Sequence, residues 1–265
     1  MRAILVGVLV VAGCGSSPPS EPATAVSLLI PRTPAVTPGI EQPTVAPTGF
    51  ARADRTVPDV AVSLTALTVK GAPVATLIDG ALAAAEVEGG AVGMIVPALR
   101  DAAARLPDRQ LALSFDRRVP ARTLVRVMTS LRAAGRDDLA LLARAGAHQM
   151  SAPVSSGDVP ADPDGVRLVV SLTANEVRLW STSGREGTLG APRLVMRTNP
   201  GIDLAQLTRT LAAIRVDRGS DERSLLVMAD GGVAVQRIAE TIGAVRATAD
   251  GAPLYPDVRL VLGVD

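Results

Sequence analysis

The 265-residue sequence predicts an α+β protein made of two tandem two-layer sandwiches, each with about four strands in a mixed sheet and two helices on one face. Three observations predict it. Short Val- and Leu-rich runs alternate with segments whose apolar residues recur at helical spacing. The series of elements occurs twice in the same order. Proline-dense stretches stand before the first copy and between the two.

Composition narrows the function classes. The chain is 48% hydrophobic but only 2% aromatic, so its core is aliphatic. With 27 basic and 26 acidic residues there is no basic excess to track a nucleic acid backbone. Cys14 is the only cysteine and His148 the only histidine, which excludes an intramolecular disulfide, leaves little material for a zinc or Cys–His site and weighs against metalloenzyme and thiol-enzyme readings. No metal and no cofactor are expected.

The amino terminus reads as an export signal over residues 1–13. A basic start, Met1-Arg2-Ala3, leads into an apolar run at 4–12 and a small residue at Gly13. The run is too short to span a bilayer, which takes about 20 residues. Val11-Ala12-Gly13-Cys14 resembles the bacterial lipobox. The resemblance implies cleavage before Cys14, a diacylglycerol on its sulfur, and a protein held on the periplasmic side of a membrane. Gly15 is not the aspartate associated with inner-membrane retention, which favours the outer membrane. Residues 14–56 are dense in Pro, Thr, Ala and Ser and read as a semi-rigid tether. The patch Val26-Ser27-Leu28-Leu29-Ile30 inside it reads as a sticky linker segment or, alternatively, as a strand to be added to a sheet edge.

The first copy spans residues 57–145 and the second 166–265, with 146–165 read as a linker. Each opens on a hairpin, 62–65 with 67–69 and 169–172 with 177–180. Val62-Ser63-Leu64-Thr65-Ala66 recurs as Val170-Ser171-Leu172-Thr173-Ala174, an offset of 108. Val96, Leu99, Ala103 and Leu106 mark a buried helix face, matched by Leu204, Leu207, Leu211 and Ile214. An apolar strand ending in Asp116 is matched by one ending in Asp230, at offset 114. A second helix with Leu124, Val127, Met128 and Leu131 on one face is matched through Ile238, Thr241, Ile242 and Val245. The closing strands, 139–142 and 258–262, stand at offset 119. The drift in offset reads as two short loop insertions.

Leu113-Ser114-Phe115-Asp116 with Val119, the helix to Gly135, and the strand at 139–142 resemble the periplasmic domain of the ExbD/TolR family. So do Val227-Met228-Ala229-Asp230-Gly231-Gly232-Val233 and Leu260-Val261-Leu262-Gly263 in the second copy. The resemblance implies a dimer-forming periplasmic module of a proton-driven biopolymer transport or envelope energy-transduction system. Its implied partners are a TonB/TolA-like extended peptide, ExbB/TolQ-type motor subunits or peptidoglycan. Family members carry a transmembrane helix with a proton-handling aspartate; residues 4–12 hold no acid, so a proton-conducting role is excluded and a non-catalytic binding or assembly role remains. Two copies in one chain imply either an intrachain pseudo-dimer, acting as a structural scaffold, or a homodimer. An envelope hydrolase with an unrecognised site is a distant alternative.

The candidate binding residues are Asp116, Arg117, Arg118, Arg122 and Asp230, and the candidate modification site is Cys14. Asp116 and Asp230 precede helices, where aspartate either accepts backbone N–H bonds or contacts a ligand at a shared rim. Arg117, Arg118 and Arg122 suit either an anionic glycan peptide or a solvated face. Trp180 reads as a sheet-packing residue, His148 as an incidental linker residue, and Gly184, Gly187 and Gly190 as a flexible loop, because no Lys and Ser/Thr complete a phosphate loop. No catalytic residues stand out.

Overall fold

A two-residue strand β1 (Ala51–Arg52) precedes the first copy. The apolar run that follows forms β2 (Val60–Val62), which turns back into β3 (Ala66–Val69). Ser63 makes that turn: its Oγ accepts the Ala66 N–H at 2.9 Å. Lys70 and Gly71 both take positive φ, 52° and 82°, the two-residue geometry that matches strand twist, and lead into β4 (Ala72–Ile78). Asp79-Gly80 repeats the device before β5 (Ala81–Leu82). Two short 3-10 turns then lead to α1 (Pro97–Ala103), β6 (Leu111–Phe115), α2 (Ala121–Ala133), β7 (Leu139–Ala145) and β8 (His148–Ser156). The second copy supplies β9 (Leu168–Leu172), β10 (Glu176–Ser181), β11 (Leu194–Arg197), α3 (Leu204–Arg218), β12 (Ser224–Ala229), α4 (Val235–Arg246) and β13 (Asp257–Leu262). This computed structural model describes residues 39–157, 168–197, 202–218 and 222–263; the signal, Cys14 and the patch at 26–30 lie outside them.

The strands form one sheet, in the order β11-β10-β9-β12-β13-β8-β7-β6-β2-β3-β4-β5, with β1 added beside β8. The expectation of two tandem sandwiches is therefore corrected, and so is the linker at 146–165. Its first part is β8, which pairs antiparallel with β7 along its length and parallel with β13 at Ser155 and Ser156. Gln149, Met150, Ala152, Val154 and Ser156 are buried there. Alternate burial across Pro153 is a strand signature that the Pro, Ser and Ala content hides. Within each half a three-strand antiparallel meander is followed by two parallel strands. Alternate strand residues, such as Leu111, Leu113, Phe115, Leu225, Val227 and Ala229, join one core cluster with the helix residues Leu99, Leu124, Met128, Leu211, Ile238 and Ile242.

The pairing of the strands relates the two copies by a register that the pentapeptide does not give. Val62 faces Leu67 and its carbonyl accepts the Asp116 N–H; Leu172 faces Val177 and its carbonyl accepts the Asp230 N–H. Leu172, at offset 110, is thus the counterpart of Val62. Thr173 stands for Ser63, its Oγ1 accepting the Glu176 N–H at 3.0 Å. The recurrence of Val-Ser-Leu-Thr-Ala is two residues out of register. A slip of two keeps every side chain on the same face, so an apolar pattern cannot detect it.

The tether reading is corrected over residues 39–56. Ile40, Val45 and Phe50 are buried, and this arm threads across both halves. The Glu41 carbonyl accepts the Arg117 N–H at 2.7 Å, and Pro43 and Val45 exchange backbone bonds with Arg144 at 2.8 Å. The Thr44 backbone exchanges two bonds with the Gln236 side chain in α4. At Gly49, φ is 80° and an added Cβ would lie 2.3 Å from the Gly243 carbonyl oxygen, so only glycine passes here.

Neither α2 nor α4 has a capping side chain; Pro120 and Ala234 occupy the cap positions. Each helix is capped by the other half. Ala121 and Arg122 donate their N–H groups to the carbonyls of Val233 and Gly231, at 2.7 and 3.0 Å. Val235 and Gln236 donate to Val119 and Arg117, at 2.9 and 3.0 Å. Each residue's partner is the counterpart of its own counterpart's partner, so the exchange is reciprocal and Pro120 pairs with Ala234 at the centre of a local two-fold. Proline is ordinarily welcome at the first helical position because that N–H has no partner. Here Ala121→Pro removes a bond and orphans the Val233 carbonyl. It is expected to lower unfolding free energy in urea by about 1–3 kcal/mol. An unchanged midpoint would show that the exchanged bonds do not hold the halves together.

Candidate functional site

The residues singled out in the sequence fall into three settings. Asp116 is fully buried at the end of β6. Its carboxylate accepts the Arg118 N–H and Nε at 3.0 Å, the Arg118 Nη2 at 3.1 Å and the Glu41 N–H at 3.2 Å. Burial pushes its pKa up, but the bonds from Arg118 and Glu41 outweigh it and hold the carboxyl below the ordinary value. Arg117 reaches the same arm, 3.0 Å from the Glu41 carboxylate. Asp116, Arg117 and Arg118 therefore fasten the arm to the first half.

Arg122 lies at the two-fold seam. An added Cβ on Gly231 would stand 2.8 Å from its Nε, so Gly231 admits the guanidinium. Asp230 is half-buried at the end of β12, with Oδ1 against Gly263, where an added Cβ would stand 2.8 Å away. Its carbonyl accepts the Val233 N–H at 3.0 Å, as that of Asp116 accepts Val119. The backbones of the two aspartates match, while their carboxylates stand in different surroundings, that of Asp116 against Arg118 and Glu41 and that of Asp230 against Gly263. Asp116, Arg117 and Arg118 thus meet the arm, and Arg122 meets Gly231, the residue after Asp230.

Sequence reasoning missed Asp59, which is 1% exposed. It accepts the Ala112 N–H at 3.0 Å and the Arg109 Nη2 at 2.8 Å, pairs with Lys70, and has Arg55 at 3.9 Å. An acid directly before Val60-Ala61-Val62, in a chain with one lysine, was the available signal. Arg126 was also missed: it is buried in α2 and donates to the carbonyls of Ala91 and Gly93. Burial, with Arg122 nearby, lowers its pKa from the usual arginine range. Trp180 packs as a sheet residue, its Nε1 donating to Ser171 Oγ at 2.7 Å. His148 is the first residue of β8 rather than of a linker. The loop read as flexible is a built turn: Glu186 is buried and pairs with Arg193, and a Cβ on Gly187 would meet the Ala191 carbonyl at 2.4 Å.

The two ends of the sheet are equivalent by topology and unlike in finish. Beyond β4 lies β5, and the Glu86 carboxylate accepts the Thr76 N–H at 3.4 Å. Beyond β11 no strand pairs among the described residues, and Val195 and Arg197 are exposed along it. Leu189, in the preceding turn, is 49% exposed and Val195 47%. An unpaired row of backbone donors and acceptors beside apolar side chains is a template for an extended chain.

The sequence matches no family model and no curated protein, and no solved structure matches the fold. No helix among the described residues is long and apolar enough to cross a membrane.

Asp116→Asn keeps the shape but turns an NH₂ towards donors. It is expected to cost about 1–3 kcal/mol of stability at pH 7. A depressed folded-state pKa contributes stability that is present above the unfolded value, about 3.9, and lost as pH falls through the folded one. The gap between wild type and variant in urea unfolding should therefore narrow below pH 4. A gap constant from pH 7 to pH 2 would mean that the carboxylate charge is not what anchors the arm.

Proposed function

We propose that this chain is an exported, lipid-anchored, non-catalytic binding module of an ExbD/TolR-like envelope system, which takes an extended partner peptide on the free edge of β11. The edge of β11 carries the reading: among the described residues it has no partner strand, whereas β4 at the other end is followed by β5 and Glu86. The lipobox-like Val11-Ala12-Gly13-Cys14 supplies the attachment, on the periplasmic side and favouring the outer membrane. The arm that enters both halves ties that attachment to the folded body. One anchoring event of two acyl chains or more gives stable retention.

A second reading, a structural scaffold whose halves act as an intrachain pseudo-dimer, is favoured by the reciprocal bonds across Pro120 and Ala234. On that reading the surface by which copies would dimerise is already occupied within the chain.

A photo-crosslinking residue at Val195, compared with one at Ile78 beside the closed edge, tests the peptide reading in cells. Capture of an envelope protein from position 195 and not from 78 is expected; equal capture, or none from 195, would sink it. Cys14→Ser should abolish palmitate labelling and move the protein to the soluble fraction. Continued membrane association would remove the lipid anchor.

A further inference from the structure

We infer that the cup between the arm and the β7–β8 hairpin is a binding site for an aliphatic carboxylate. The cup has a volume of about 420 Å³, within the range of small-ligand pockets, which is roughly 300–1,000 Å³. Val45, Pro47, Ala145 and Met150 give it an apolar wall, and Arg52 and His148 stand among them. The geometry follows from the pairing. Arg52 faces Met150 across the β1–β8 ladder, so their side chains share a face. His148 lies two residues before Met150 on the same strand and shares that face too. The two nitrogen-bearing side chains therefore flank one apolar side chain.

Among the described residues no acid lines the cup, and Arg52 and His148 make no ion pair with a carboxylate. This sets Arg52 apart from Arg117 and Arg118, whose charges are spent on Glu41 and Asp116. A guanidinium fork and an imidazole N–H are donors without an acceptor, and a carboxylate supplies two oxygens to them. The apolar wall leaves room for a hydrocarbon chain behind that carboxylate. A phosphate or a sugar would use the donors and waste the wall; a neutral hydrocarbon would do the reverse.

Three of the seven residues that line the cup, Val45, Pro47 and Arg52, lie on the arm. The site is thus assembled only when the arm is docked.

His148 is the only histidine, so its ring resonances report on this cup alone. The test uses the full chain carrying Cys14→Ser, which removes the only thiol and any acyl group on it. Octanoate, octanol and acetate are titrated separately while His148 ring shifts and binding heats are followed. Octanoate is expected to bind saturably at one site and to shift the His148 signals. Octanol and acetate should bind at least tenfold more weakly, because each lacks one of the two contacts. Arg52→Gln, at an exposed position, should weaken octanoate roughly ten- to a hundredfold, the cost of a charge-assisted bond. Equal binding of octanoate and octanol, octanoate binding without movement of His148, or full affinity in Arg52→Gln would each overturn the assignment, as would no binding of octanoate at all.

Discussion

The first turns of α2 and α4 have no Ser, Thr, Asp or Asn before them, and their leading N–H groups are satisfied by carbonyls of the opposite half. A buried orphan donor costs about 1–3 kcal/mol, so four exchanged bonds make each half a condition of the other. The loops that carry those carbonyls, Arg117 to Val119 and Gly231 to Val233, are the loops that follow the strand-end aspartates. Asp116 then serves the same seam from beneath, since its carboxylate orients Arg118 and receives the arm. The glycines fit this scheme. Gly231 makes room for Arg122, and Gly243 and Gly49 let the arm lie on α4.

Around this symmetric centre the chain places two asymmetric pieces. One is β8, which has no counterpart among the described residues of the second half and fills the sheet between β7 and β13. The other is the arm, whose β1 shares an edge of β8 with β13: β1 pairs at Met150 and Ser151, β13 at Ser155 and Ser156. The helix-end arginines bind the asymmetric strand to the symmetric frame. Arg132 donates to the Ser156 carbonyl at 3.1 Å, and its counterpart Arg246 reaches the carbonyls of Pro153, Pro256 and Gly49. A repeated fold thus becomes a single body with one continuous sheet.

What could be read in advance depended on periodicity. The strands ending in Asp116 and Asp230 and the helix faces led by Leu124 and Ile238 announced themselves through apolar spacing, and so did the repetition. Three things did not. The true offset of the hairpins escaped because period-two patterns tolerate a two-residue slip. Strand β8 and the arm escaped because Pro, Ser and Ala dominate them and their few apolar residues, such as Val45 and Val154, are widely spaced. Asp59 escaped because a carboxylate buried by Lys70 and Arg109 brings its partners from positions 11 and 50 residues away. Of the candidate residues, Asp116, Arg117 and Arg118 hold this chain's own arm, while Arg122 stands at the seam beside Gly231.

The unlike finish of the two sheet ends has a consequence for assembly. A body with a two-fold and two open ends can accept a copy at either end, and repetition of that step has no natural stop. Here β5 and Glu86 stand beside β4 at one end, while among the described residues no strand pairs beyond β11 at the other. Two such molecules joined at β11 would present only the two-residue β5 at either end, a much shorter edge for further pairing. A short, two-residue end strand is one of the ways a sheet is kept from repeated edge-to-edge pairing, so the asymmetry works against fibre growth in this 13-stranded sheet.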